Sequence, residues 1–346
     1  MAYSAPALAV AAKASIDFYL KNNPIDQIKQ ERPLLQKLMA GRKAMPGGLQ
    51  YAVEQVIYDY GEQGQWVQHA DTLDFNARNP NEQAKYLWST YRDGMGVSED
   101  EASQNGFELT EDRNAKASGA ERVALVNLLE TKMYALKEGM HKGLDYQLHL
   151  DGTQDAKSIP GLSALITPDP TTGTVGGIDR ASAAWWRNHA ATGVAAAGMM
   201  EALEVADRAT RKNGGKVDFI LAGSAWIDAY RVQAKSEIER HIVLTGKGGT
   251  GLDGGITDLY YKGIPILWDP TFEDLDAALA PVTNPWTKRA YFINTNHLRL
   301  RPISGHDFVL TKPEKPHNQY VHYWDFKFKG ALTMNRSNAH GLIVLE

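Results

Sequence analysis

The stretch GKGGTG at 246–251 places Gly246, Gly248 and Gly251 at the literal G-x-G-x-x-G spacing. In a dinucleotide-binding turn that spacing lets backbone amides approach a pyrophosphate. The chemistry needs a helix to begin at the third glycine, so that unpaired amides and the helix dipole face the phosphate. Here Gly251 is followed by Leu-Asp-Gly-Gly, then Thr-Asp and a strand-like LYYKGIPILW, and Ile242-Val243-Leu244 before it read as the end of a helix. The acidic residue expected about 20 positions on could only be Asp269, which stands before Pro270 at a strand's end. Gly246, Gly248, Gly249, Gly251, Gly254 and Gly255 read instead as a loose loop. Lys247 precedes glycine rather than Ser or Thr, so the stretch is no Walker motif. A nucleotide-dependent α/β enzyme using this loop is the alternative carried forward.

Other chemistry-bearing patterns are thinner. Glu138-x-x-His141 is a lone pair on a helix, and His317 and His322 fall on opposite faces of a strand. Asp151-Gly-Thr-Gln-Asp155 lacks the remaining oxygen ligands of a calcium loop. Ser224 follows a strand and a glycine, but the context Ala222-Gly-Ser-Ala-Trp226 lacks the second glycine of a nucleophile elbow, and helix capping accounts for the serine. Trp185-Trp186 could stack bases, although their alanine-rich surroundings favour packing. Asn335-Arg-Ser337 has the form of a glycosylation sequon but no secretory context. The reading therefore names no catalytic, cofactor-binding or metal-ligating residue, expects no cofactor, and takes the chain not to be an enzyme.

Bulk properties narrow the class. The 346 residues are 43% hydrophobic and 23% charged, enough for a sizeable core, and contain no cysteine. That excludes disulfides, thiolate zinc sites, iron–sulfur clusters and cysteine nucleophiles. The apolar run Ala5–Ala12 lacks a preceding basic residue and is not read as a signal peptide. No run approaches the roughly 18 apolar residues of a membrane span, so no membrane partner is expected. Residues 1–50 carry seven Lys/Arg against three Asp/Glu and residues 286–346 nine against four, so two basic ends flank an acidic middle. Neither end is the dense patch of a sequence-reading nucleic-acid binder.

The elements follow in a clear order, without an internal repeat. Residues 1–48 read as an arm with helical spacing at Ile25, Ile28, Leu35, Leu38 and Met39, interrupted by Pro33. Residues 49–92 read as an extended loop hairpin. Leu49, Tyr51 and Val53 alternate, then Val56, Tyr58 and Tyr60 after a one-residue slip that suggests a bulge, and Tyr86, Trp88 and Thr90 match them. A projecting hairpin with exposed aromatics needs a partner, and another subunit is the obvious one; Tyr58, Tyr60, Trp66, Tyr86 and Trp88 are the expected contacts. Ser118-Gly-Ala-Glu121 forms a capping box, after which Val126, Leu129, Met133, Leu136, Met140 and Leu144 predict a spine helix over 119–150, about 48 Å long. It dominates a segment at 93–159. An α/β pattern occupies 160–310, with a helix around 195–213, a buried strand in KVDFILAG, a helix capped by Ser224 and a strand pair turning at Lys262-Gly263. Strands at 311–346 return to the body.

This order resembles that of the tailed-bacteriophage major capsid proteins of Hong Kong 97 type. The stretches that carry the likeness are Met45-Pro-Gly-Gly48, AKYLWSTYRDGMGVSEDEASQNG at 84–106, the long helix ending LHLDGT, GLSALIT, GTVGGIDRASAAWWRN at 173–188, YYKGIPILWDP and YFINTNHLRLRP at 291–302. The resemblance implies an α+β fold, Hong Kong 97-like, with the spine helix in a peripheral domain, an α/β axial domain over 160–310, and C-terminal strands. It implies a protein that assembles into pentamers and hexamers of an icosahedral shell, with a separate scaffolding protein, a portal and non-specifically packaged DNA as partners. The place implied is the virion capsid, reached from the host cytoplasm.

Overall fold

The computed structural model describes residues 29–346 apart from 63, 70, 73–78, 99–118, 213, 239–258, 280–282 and 312–320, with backbone alone at 119–130, 235–238 and 322. GKGGTG, Ser118, Ile25 and Ile28 lie outside the described residues. In chain order the elements are α1 (Pro33–Ala40), β1 (Tyr51–Ile57), β2 (Asn81–Leu87), β3 (Ser89–Ser98), α2 (Gly119–His149), α3 (Leu162–Leu165), β4 (Thr174–Val175), β5 (Ile178–Asp179), β6 (His189–Val194), α4 (Met199–Lys212), β7 (Phe219–Ala222), α5 (Ser224–Ile238), β8 (Leu259–Tyr261), β9 (Ile264–Trp268), α6 (Thr271–Leu279), β10 (Arg289–Ile293), β11 (Leu298–Pro302), β12 (Val309–Leu310), β13 (Val321–Met334) and β14 (Gly341–Leu345). The chain divides into two compact units. One takes the described residues of Met1–Gln30, Thr90–Leu144 and Gly305–Lys329, the other those of Glu31–Ser89, Asp145–Ser304 and Gly330–Glu346.

The second unit is built on a six-stranded mixed sheet in the order β6-β14-β10-β7-β9-β8. β14 runs parallel to β6 and antiparallel to β10, and β7 runs antiparallel to β10 and parallel to β9. FILA, RAYFI and GLIVL are buried at every position, which is why these strands read as continuous apolar runs rather than alternating ones. Consecutive residues nevertheless serve opposite faces. Phe292 joins Met199, Leu203, Trp226, Tyr230 and Ile343 in the core beneath α4 and α5. Its neighbour Tyr291 meets Phe272 of α6, with centroids 6.0 Å apart. Trp226 and Tyr230, one turn apart on α5, stack at 5.6 Å.

Two turns show sequence dictating geometry. Lys262 (φ 49) and Gly263 (φ 79) both take the left-handed conformation that a tight β-hairpin requires between β8 and β9, as the sequence predicts. The Lys262 ammonium reaches Glu204 at 2.8 Å and Asp207 at 3.3 Å. At Gly223 a Cβ would overlap the backbone of Thr287, so only glycine lets β7 enter α5 here. The Ile227 amide donates to the Gly223 carbonyl, and helix α5 already includes Ser224. Ser224 is therefore the first helical residue and not the cap.

Three other expectations are corrected. Pro33 does not interrupt a helix but begins one: it occupies the first turn of α1, where a missing N–H costs no hydrogen bond. Leu34, Leu35 and Leu38 of α1 are buried. β1 and β2 pair without a bulge from Tyr51↔Leu87 to Ile57↔Asn81. Their inward face carries Ala52, Glu54 and Val56 opposite Tyr86, Ala84 and Glu82, so the alternation runs one residue out of phase with the Tyr51–Val53 reading. Helix α6 was not foreseen at all. Its signal is Asp269-Pro-Thr-Phe-Glu273: the Asp269 carboxylate accepts the Thr271 amide at 3.0 Å, and Glu273 and Asp274 sit in the first turn.

The first unit contains α2 up to Leu144. Leu136, Met140 and Leu144 are buried at four-residue intervals, as the stripe predicts, while Met133 is exposed; Val126 and Leu129 lie outside the described side chains. β3 and β12 pair with the first part of β13. Phe308 packs on Phe326 and Phe328 and meets His141 in a T-shaped pair. Arg92 grips Asp325 through two hydrogen bonds of 3.1 and 2.6 Å. In the second unit, β11 pairs with the remainder of β13, from Leu298↔Met334 to Pro302↔Gly330.

Candidate assembly surface and a buried polar triad

The β1–β2 hairpin is anchored at its base and bare at its tip. On its inward face Glu54 Oε1 accepts from Arg301 Nε (3.0 Å) and Thr333 Oγ1 (3.1 Å), and Arg301 adds a second contact at 2.9 Å. Tyr86 lies in the core with its hydroxyl donating to the Met334 carbonyl at 2.6 Å, and burial pushes its phenol well above the ordinary range. Trp88 is half-buried and donates from Nε1 to the Leu49 carbonyl at 3.0 Å. These contacts tie the hairpin to its own chain.

Beyond Ile57 the pattern reverses. Tyr58 donates its hydroxyl to the Asn79 carbonyl (2.9 Å) and stacks on Trp185 with centroids 5.3 Å apart. Trp186, next to it, is buried and donates to the Val175 carbonyl. Tyr60 is 85% exposed and Trp66 fully so, with Ile57, Val67 and Leu87 also on the surface. A cleft of about 520 Å³ opens between Tyr58, Tyr60 and Trp185 on one side and His297 and Arg336 on the other. Of the five residues expected at a subunit contact, Tyr58 and Tyr60 line this cleft and Trp66 is fully exposed, while Tyr86 is buried and Trp88 half-buried, each with a hydrogen bond inside the chain. Single exposed apolar residues are ordinary; exposed Tyr and Trp are the residue types enriched where surfaces meet partners.

A second constellation escaped the sequence reading. His149, in the last turn of α2, places Nδ1 2.8 Å from the Asp145 carbonyl and Nε2 2.9 Å from Asp269 Oδ2. The Asp145 carboxylate accepts from the Thr271 hydroxyl at 2.9 Å, and the Phe272 and imidazole rings meet nearly at right angles with centroids 5.2 Å apart. All three ionisable groups are buried. Burial alone would drive the imidazole towards neutrality, but Asp269 and then Asp145 outweigh it and push His149 up to about 9. Burial also raises Asp145, whose Oδ1 has no partner. The carboxylate and ring atoms lie within 4.8 Å of one another, yet both ring nitrogens already face acceptors, the pattern of a hydrogen-bonded ion cluster. Asp145 and His149 at i, i+4 were visible in the predicted spine helix; Asp269, 120 positions on, was not. A contrasting case is His340, fully buried, where burial and then His297 hold the imidazole down at about 3.

No family model matches the chain, and neither does any curated protein. Solved structures do. The chain is similar to one described as the capsid asymmetric unit of cyanophage A-1(L), with a TM-score of 0.61 and 16% identity over 94% of this chain and 95% of that one. It is similar to the capsid of Myoviridae phage XM1 (TM-score 0.51, 11% identity, 95% and 97% covered) and to the capsid of a native GTA particle (0.52, 11%, 96% and 98%). The fold is thus the α+β fold of the Hong Kong 97-type capsid proteins.

Proposed function

We propose that this chain is the major capsid protein of a tailed double-stranded DNA phage, many copies of which close an icosahedral shell around the genome. The observation that carries the reading is the extent of the likeness: it runs over 94% of this chain and 95% of the cyanophage capsid chain, not over one shared motif. The exposed Tyr58–Tyr60–Trp66 surface supports it, because a lattice-forming subunit needs a surface that only another copy completes. In this reading residues 1–48 are an N-terminal arm, the extended hairpin (49–92) lies over a neighbouring subunit, and the spine helix segment (93–159) forms a peripheral domain. Residues 160–310 point towards capsomer centres, and 311–346 return to the body. Subunits gather as pentamers and hexamers, with a separate scaffolding protein and a portal; packaged DNA faces the inner surface. Assembly takes place in the host cytoplasm and the product is the virion capsid. The chain works as a structural protein, without a reaction of its own.

Electron microscopy and sedimentation of the protein, expressed alone and with a candidate scaffold, test this. Capsomers or closed shells are expected. A species that stays monomeric under every condition overturns the proposal, as does nucleotide binding abolished by changing Gly248 and Gly251 to alanine.

A further inference from the structure

We propose that His149 clamps the last turn of α2 to the β9–α6 corner as a buried imidazolium, so that the corner loosens when rising pH withdraws its proton. The inference stands on the subunit alone and does not depend on the shell reading.

The hydrogen bonds assign the protons. The Asp145 carbonyl, 2.8 Å from Nδ1, can only accept, so Nδ1 carries a hydrogen. Asp269 Oδ1 already accepts the Thr271 amide, and its Oδ2 lies 2.9 Å from Nε2. With Oδ1 engaged by that amide, Oδ2 is the acceptor turned towards the ring, and in the clamp the second hydrogen sits on Nε2. The Thr271 hydroxyl spends its one hydrogen on Asp145. The groups facing the imidazole are therefore Asp145 from α2, Asp269 from the end of β9, and Thr271 and Phe272 from α6. Arg32, ahead of α1, acts on Asp145 in the direction of keeping it charged. The clamp joins elements 120 positions apart, His149 to Asp269, in a place without water contact. Removing the proton leaves Asp269 a buried anion facing a ring with one hydrogen already committed, an arrangement that burial penalises.

The direction with pH is fixed by this. The imidazole titrates higher folded than its ordinary value of 6.5, at about 9. Its contribution is therefore complete below about pH 6.5 and is lost as pH rises through 9.

Hydrogen-exchange mass spectrometry of the full chain from pH 6 to 10, corrected for intrinsic exchange, tests the clamp. Amides of 145–150 and 269–273 should lose at least tenfold in protection across that range, while those of β7 and β10 hold. His149→Gln should show the reduced protection already at pH 6 and remove the pH dependence. Asp269→Asn should move the loosening to lower pH. Protection independent of pH in the wild type overturns the proposal even if His149→Gln fails to fold. So does a loss of protection on adding a chelator, or a gain on adding zinc or manganese, either of which would make the triad a metal site.

Discussion

The central strands and the projecting hairpin solve opposite problems with the same backbone geometry. β7, β10 and β14 bury every residue, so their side chains are satisfied within one chain. β1 and β2 bury only alternate residues, and past Ile57 the hairpin shows Tyr60 and Trp66 to solvent. The first arrangement is satisfied within the chain; the second leaves large aromatics exposed, the surface that the proposed shell would cover. Apolar content does not separate them, since both are rich in it. What separates them is whether the chain itself supplies the facing partner.

The largest expected effect breaks the interior. Phe292→Ala removes a fully buried ring between β14 and β7 and should lower unfolding stability by about 3–5 kcal/mol, read from urea midpoints. Acid should weaken the same sheet next. His340 titrates at about 3 when folded, below its ordinary 6.5, so the folded state favours the neutral ring. Its contribution is present above about pH 6.5 and falls as pH drops towards 3, by about 2–3 kcal/mol at pH 4.5. His340→Gln should flatten that slope. Glu54→Gln at the hairpin's base leaves Arg301 without its carboxylate, and about 1–2 kcal/mol should go. Trp66→Ala with Tyr60→Ala sharpens the contrast: stability should change by less than about 0.5 kcal/mol, while shells by electron microscopy should fail to form. A large loss of subunit stability in that variant would erase the distinction between interior and tip.

Sequence carries these regions unequally, for physical reasons. KVDFILAG and the Lys262-Gly263 turn are local signals, a continuous apolar run and a pair of residues at φ > 0, and both appear where predicted. The hairpin's existence was legible, but its phase was not. Tyr51 and Val53 have the residue types of an inward face, yet Glu54 occupies that face because Arg301 and Thr333 wait there. α6 was hidden because Asp269-Pro270 resembles a strand's end as much as a helix start. Tyr86 and Tyr60 could not be told apart, since an aromatic's burial depends on what lies opposite, here the Met334 carbonyl 248 positions away. The His149 triad was illegible for the same reason.

The place of β14 has a kinetic consequence. Gly341 pairs with His189, 152 positions earlier (341 − 189), and β14 lies between β6 and β10 in the sheet. Until residues 341–345 arrive, β6 and β10 each expose an unpaired edge and the slot for Leu342, Ile343 and Val344 stays open. Pairings of such separation form slowly, and open edges of apolar strands invite association with other chains. The sheet is therefore expected to close late in folding, with the edges of β6 and β10 open to other chains until it does.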